Sequence, residues 1–374
     1  RCLAPEPSPG AREPGAIYDE ALQLAASLAL GDGIARLDEA TKLDGRARAS
    51  ENPRVEALTA LQLGAAQLQS GRLGEATTSL QRAYFLAGQH ELHDRAAEAA
   101  FFLASAYSQR GTPREALDWI AHAAMMVVRG DLDARTRVRI EARGADLAAQ
   151  HEGPEAGLRL LDAAVAIARA ELGEADRDTA QLAVQRGRYL LAAGRAEEAA
   201  TAYTDALVQL HLALGQDDPQ VAEASVEAAG VDVAGGRFDV AHAKIEASVD
   251  TLRGTLGPRH LATTTAMAAL AEVLSRVGSH DDAVRLLDNV VAIRRQTLGD
   301  EHPRVADAEL ELARALLAQG DPGKATEAAM RSEKIYEEVV APAHPALSAA
   351  RAVISEASAR VGEPQATPAS PTPD

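Results

Sequence analysis

The dipeptide Leu-Gly recurs every 42 residues, at Leu172-Gly173, Leu214-Gly215, Leu256-Gly257 and Leu298-Gly299, with Val340-Ala341 at the next mark. Two more ladders keep the same interval: Gly194, Gly236, Gly278, Gly320 and Gly362, and Ala199, Ala241, Ala283 and Ala325. A fixed period of this size means that one supersecondary unit is copied and stacked, because a single copy cannot bury its own apolar face. This overrides the expectation from length. A chain of 374 residues would ordinarily hold two or three domains, but stacked units lengthen a chain without thickening its core.

The content of one unit is legible between Leu256 and Arg295. Gly257-Pro258-Arg259-His260 reads as a loop. From Leu261 to Val277 apolar residues fall at helical spacing, among them Leu270, Val273, Leu274 and Val277. Gly278 supplies the left-handed residue that ends a helix. Asp281 and Asp282 then stand in the next first turn, where the helix dipole favours acids. Ala283, Leu286, Leu287, Val290, Val291 and Ile293 give the second helix its apolar face. The unit is helix, tight turn, helix, loop.

Small residues recur twelve apart across each turn: Gly187 with Ala199, Ala229 with Ala241, Ala271 with Ala283, and Ala313 with Ala325. Where two helices cross closely only a small side chain fits, so these pairs predict the crossings. Upstream the pattern continues at about 40 residues, as Gly64 with Ala76, Ala104 with Ala116, and Gly144 with Ala156, so shorter linking loops are expected there. The stretch from Ile17 to Leu43 reads as another pair broken at Gly31-Asp32-Gly33, and 346–361 as a closing helix. The expected organisation is a disordered segment over 1–15, repeats over 16–361 in seven or eight helix pairs, and a disordered Pro-rich tail over 362–374.

The sequence resembles the tetratricopeptide-repeat family. The residues that carry the likeness are Leu103-Ala104-Tyr107-Ala116-Ala123, Gly187-Leu190-Ala199-Ala206 and Leu270-Ala271-Leu274-Ala283. The loop Leu298-Gly299-Asp300-Glu301-His302-Pro303 looks like the 42-residue kinesin-light-chain subgroup. The resemblance implies an all-α fold, a right-handed α-solenoid whose first helices line a concave groove, and a function in binding protein or peptide partners. The subgroup's paired asparagines are absent: their positions hold Val184-Gln185, Val226-Glu227, Ala268-Ala269 and Leu310-Glu311. The Lys/Asn/Arg set with which chaperone-binding relatives grip a C-terminal carboxylate is missing too. In a looser way the Ala-rich repeats look like the region that follows the catalytic domain in large bacterial serine/threonine protein kinases. The alternative reading is therefore a non-catalytic sensor or docking region of such a kinase.

Composition narrows the partners. A formal net charge of −17 repels the phosphates of nucleic acid and the anionic surface of a membrane. No apolar run reaches the roughly 18 residues of a membrane span. Cytoplasmic residence is expected, or an extracytoplasmic one if the chain is attached to a membrane-spanning kinase. The start at Arg1 reads as a fragment or a processed form. No cofactor or metal is expected, and no catalysis. The single cysteine, Cys2, has no preorganised partner. His260, His302 and His344 lie 42 apart at loop-to-helix junctions, which explains their recurrence without a metal. His90 and His93 lack further ligands nearby. Glu197-Glu198 and Asp281-Asp282 are first-turn acids.

The partner-binding groove is expected to use Phe101 and Phe102 as apolar anchors early in the chain. Gln185, Arg188, Glu223, Glu227, Glu272, Asp307 and Glu311 are expected on the same inward face farther along. The acids among them point to a ligand with both basic and apolar side chains.

Overall fold

The computed structural model describes residues 13–29 and 33–362, and every regular element among them is a helix. In chain order these are α1 Glu13–Ala29, α2 Gly33–Ala49, α3 Pro53–Gln69, α4 Leu73–Gln89, α5 His93–Gln109, α6 Pro113–Gly130, α7 Ala134–Glu152, α8 Pro154–Glu171 and α9 Arg177–Ala192. They continue as α10 Ala196–Leu214, α11 Pro219–Ala234, α12 Phe238–Thr255, α13 Leu261–Arg276, α14 His280–Leu298, α15 Pro303–Gln319, α16 Pro322–Val339 and α17 Pro345–Gly362. This is the all-α helical-hairpin fold that the periodicity predicts, with eight pairs and a closing helix among the described residues. Of the two terminal segments expected to be irregular, residues 1–12 and 363–374 lie outside the described residues, as do Gly31 and Asp32.

The chain divides into two compact units. One is Arg1–Gly257 with Val339–Ala341, and the other is Pro258–Glu338 with Pro342–Asp374. The first holds α1 to α12 and the second is built on α13 to α17.

The 42-residue ladders each have a local cause. Gly194 and Gly278 adopt φ of 77° and 85°. There the next residue's N–H reaches back to the carbonyl five before it, Arg195 to Leu190 at 2.9 Å and Ser279 to Leu274 at 2.9 Å. This closes the first helix and turns the chain into the second. A further ladder is an N-cap position at 176, 218, 260, 302 and 344. Asp176 and Asp218 accept from the backbone N–H two residues on, each at 2.8 Å. His260, His302 and His344 do the same through Nδ1, at 3.2, 3.0 and 3.2 Å. An N-cap acceptor satisfies an otherwise orphaned amide, so the periodic histidines are structural caps. Upstream, the loops between repeats shorten, with residues 90–92 alone joining α4 to α5, and Glu91 rather than glycine takes the left-handed conformation at φ 57°.

The small-residue crossings are real, but their register differs in detail. Ala199, Ala229, Ala241, Ala271, Ala283, Ala313 and Ala325 are all fully buried. A Cβ added at Gly187, however, would lie 2.9 Å from the Tyr203 ring, and one at Gly64 would lie 2.5 Å from Leu80 Cγ. The close neighbour is thus four residues, one helical turn, beyond the expected alanine. The pair Gly144–Ala156 is corrected: Gly144 has open space around it, and the tight contact is Gly157 against Ala145 and Ala149, 2.6 Å from the Ala149 Cβ. Ala145 and Gly157 lie 42 residues before Gly187 and Ala199, so α7 and α8 cross on the common ladder and the expected pair was placed one residue early.

Three carboxylates are buried among cations, which the periodicity does not reveal. In the first unit Asp44 meets Arg82 at 2.5 Å and Arg48 at 2.9 Å, and Asp232 meets Lys244 at 2.6 Å and Arg237 at 2.8 Å. In the second unit Glu309, with no exposed surface, is held by Arg295 at 2.5 Å and Arg331 at 2.9 Å. A buried carboxylate stays charged only with such partners.

Candidate functional site

Within the first unit, α5, α7 and α9 line a cleft of 540 Å³. Its wall is mostly α7. That helix starts at the N-cap Asp133, which accepts from the Thr136 N–H at 2.9 Å, and it carries Arg135, Arg139 and Arg143 into the cleft. Residues four apart share a helix face, so the three guanidinium groups form a column. Their fates differ. Arg135 is taken by Asp176 at 2.7 Å and Asp178 at 2.5 Å. Arg139 is exposed and lies over the Phe101 ring, 5.0 Å from its centroid, within the range of a cation–π contact. Arg143 reaches Asp146 only at 3.9 Å, and its buried Nε has no hydrogen-bond partner. Burial lowers the Arg143 pKa, against the opposing pull of Asp146 and Tyr189.

The opposite wall is Gln185 on α9. Its amide nitrogen donates to the Ala142 carbonyl at 2.8 Å and to the Tyr189 hydroxyl at 2.7 Å. That hydroxyl donates to Asp146 at 2.6 Å. The Tyr189 hydroxyl is pushed up, by burial first and then by the Asp146 carboxylate. Asp146 therefore holds Tyr189 and is only a distant counter-ion for Arg143.

Phe101 and Phe102, expected together as anchors, meet edge to face at 5.8 Å. Both pack against one core cluster of the first unit; Phe101 also lines the cleft, and Phe102 also meets a second cluster. Arg188 lies beyond Gln185, 3.7 Å from Asp146, and grips Glu227 through two bonds of 2.9 and 3.0 Å. Burial opposes the charge on Arg188, but Glu227 outweighs it and raises its pKa. Glu223 is raised by burial, then by Glu227 and Asp218.

The remaining expected residues, Glu272, Asp307 and Glu311, belong to the second unit. Glu272 pairs with Arg276 at 3.4 Å. Asp307 accepts the Tyr336 hydroxyl at 2.6 Å and has Arg304 at 3.6 Å. Glu311 is pushed up by burial, with Arg294 pulling the other way, and its Oε2 is buried without a partner. Of the expected acids, Glu227, Glu272 and Asp307 hold cations or hydroxyls of their own unit.

The cleft arginines escaped the sequence reading although a signal existed. Positions 139 and 143 lie 42 before Gln181 and Gln185, and those lie 42 before Glu223 and Glu227. One pair of inward positions thus runs Arg/Arg, Gln/Gln, Glu/Glu along α7, α9 and α11. The first step keeps the 42-residue interval, but its change from glutamine to arginine set it apart from the acidic positions. Among the described residues, no group of three or more His, Cys, Asp or Glu could hold a metal ion, and no helix is long and apolar enough to cross a membrane.

Residues 263–338 match the family model described as tetratricopeptide repeat. The apo form of the quorum sensor NprR from B. thuringiensis is 16% identical over 85% of this chain and 87% of its own, with a TM-score of 0.58. NprR in complex with its cognate peptide NprX is likewise 16% identical, over 77% and 79%, with a TM-score of 0.56. A Podosopora anserina protein described as a kinesin light chain with nearly identical TPR-like repeats is 26% identical over 55% of this chain and 98% of its own, with a TM-score of 0.44. No curated protein matches the chain.

Proposed function

We propose that the chain, whose residues 263–338 match the tetratricopeptide-repeat model, works by binding a peptide segment of a partner protein in the cleft of its first unit. The observation that carries this reading is the Phe101–Arg139–Arg143–Gln185 cleft, where an apolar ring and two arginines without a close carboxylate line one pocket. Pockets of a few hundred Å³ with an aromatic wall and a few placed polar groups are the usual form of a ligand site. The neighbouring fold of NprR, solved with its cognate peptide NprX, supports the use of such a surface for peptides.

In this reading the chain binds and performs no catalysis. The apolar part of the expected ligand is retained at Phe101. Its basic part is confined to Glu223, which lines α11 without a cation of its own among the described ion pairs. The test is a peptide-display selection on the full chain, repeated with Phe101→Ala and Phe102→Ala. Loss of an aromatic anchor costs more than about 1 kcal/mol, a loss of fivefold or more in affinity. Phe101→Ala is expected to lose the selected peptides while Phe102→Ala changes stability first. Selected peptides indifferent to Phe101 would remove the cleft from the function.

A further inference from the structure

We propose that Arg139 and Arg143 anchor a carboxylate side chain of the bound peptide, so that the recognised segment has an acidic residue next to an apolar one. This rests on the peptide-binding reading and adds to it the chemistry of the ligand.

The cleft is lined by four arginines, 135, 139, 143 and 177, and three aspartates, 133, 146 and 178, with Asp176 outside the lining but paired to Arg135, so the charges balance in number and are unevenly placed. Each aspartate is engaged. Asp133 caps α7, Asp178 holds Arg135 and Arg177, and Asp146 takes the Tyr189 hydroxyl. The poorly matched cations are on the Arg139–Arg143 side. Arg139 has the Phe101 ring as its contact and no ion pair among the described residues, and Arg143 is half-buried with Asp146 only at 3.9 Å and an unpartnered Nε. A half-buried guanidinium without a close carboxylate is poorly stabilised, and a ligand carboxylate supplies one. A carboxylate matches the planar fork of a guanidinium.

The face does not end at the cleft. It runs past Gln185 to Arg188, 3.7 Å from Asp146, so a peptide can pass through and present an internal acidic side chain. The Phe101 ring beside Arg139 then takes the neighbouring apolar side chain.

The experiment uses the full chain, immobilised, and three pools of twelve-residue peptides, acetylated and amidated to remove their terminal charges. All positions are mixed except a central Leu-Glu, Leu-Gln or Leu-Lys. Captured peptide is quantified by mass spectrometry. The Leu-Glu pool is expected to be enriched about tenfold over Leu-Gln, and Leu-Lys to be depleted. Arg139→Gln, a change at an exposed side chain that leaves the fold intact, is expected to erase the Glu preference, and Arg139→Lys to restore part of it. Arg143→Gln is included with circular dichroism as its folding control. If the amidated pools are captured equally but peptides with a free C-terminus are preferred, the terminal carboxylate is the ligand and the side-chain assignment is overturned. If all pools are captured alike and Phe101→Ala lowers all of them, the peptide site stands and the carboxylate inference falls. If nothing is captured, or capture ignores Phe101, both fail.

Discussion

Two glycine-to-alanine changes in the first unit should shift stability in opposite directions. Gly64 lies inside α3 against the fully buried Leu80, and an added Cβ would stand 2.5 Å from Leu80 Cγ, 2.7 Å from Cδ2 and 3.2 Å from the Leu80 backbone nitrogen. Carbon atoms pack at about 3.5–4.0 Å, so the overlap is about 1 Å. The backbone nitrogen cannot swing aside, and Leu80 sits in the apolar cluster formed with Leu61 and Ala83. Overpacking of this kind costs about 1–3 kcal/mol. Alanine returns about 1 kcal/mol of helix propensity. The net loss for Gly64→Ala is therefore about 1–2 kcal/mol. Gly45, exposed in the middle of α2, has nothing within 4 Å of an added Cβ. Gly45→Ala should gain up to about 1 kcal/mol.

The assay is urea unfolding followed by the fluorescence of Trp119, the one tryptophan, which stands on α6 in the same unit. Repeat arrays need not unfold in a single step, because each repeat contacts only its neighbours. The midpoint of the Trp119 signal is therefore the quantity compared, with exchange protection of α3 amides as a second readout. Gly64→Ala should lower the midpoint and Gly45→Ala should raise it. If both raise it equally, the α3–α4 crossing is looser than the packing argument requires, and the small-residue ladder loses its explanation.

In the second unit, Glu309→Ala should destabilise by about 3 kcal/mol, the lower end for a broken buried pair, because the half-exposed Arg295 and Arg331 can turn to water; exchange protection of α15 and α16 amides measures it. Ala283→Leu should cost about 1–3 kcal/mol at a fully buried crossing, read in the protection of α13 and α14, and unchanged protection would refute that placement. His344 gives a pH dependence. Burial holds its pKa below the ordinary value, against the opposing pull of Asp307, and its ring stacks on Tyr336. A depressed histidine contributes stability that is complete above the unfolded value of about 6.5 and is lost as pH falls through the folded one. Protection of α17 should therefore drop from pH 7 to pH 5, and His344→Asp, which keeps a cap acceptor as Asp176 and Asp218 do, should flatten that drop.

The fold was legible because stacking forces repetition. The left-handed turn, the cap and the helix crossing must each be solved in every unit, so Gly194, His260 and Ala283 recur at one interval. The first unit's cleft was half legible. Phe101 and Gln185 could be found from their positions on first helices, and the structure does bring them to one surface. Arg139 and Arg143 stand on the same 42-residue ladder as Gln181 and Gln185, but a pattern read for acids does not lead to them. Ion pairing was invisible altogether: that Glu227 is spent on Arg188, or Glu309 on two arginines, depends on side chains brought together from different helices.

The change of chemistry along the ladder and the position of the cleft belong to one physical argument. In a stacked array the side chains that make the stack must repeat, so a position that changes chemistry from unit to unit is free of that duty. The inward pair at 139 and 143, then 181 and 185, then 223 and 227, changes from cationic through neutral to anionic while the alanines and glycines of the crossings persist. α7, the helix that carries the cationic pair, crosses α8 on the common ladder, since Ala145 and Gly157 lie 42 residues before Gly187 and Ala199. Arg139 and Arg143 are outside that crossing, and Arg143 keeps a buried Nε without a hydrogen-bond partner. Binding chemistry collects where the repeat departs from itself, and in the first unit that place is α7.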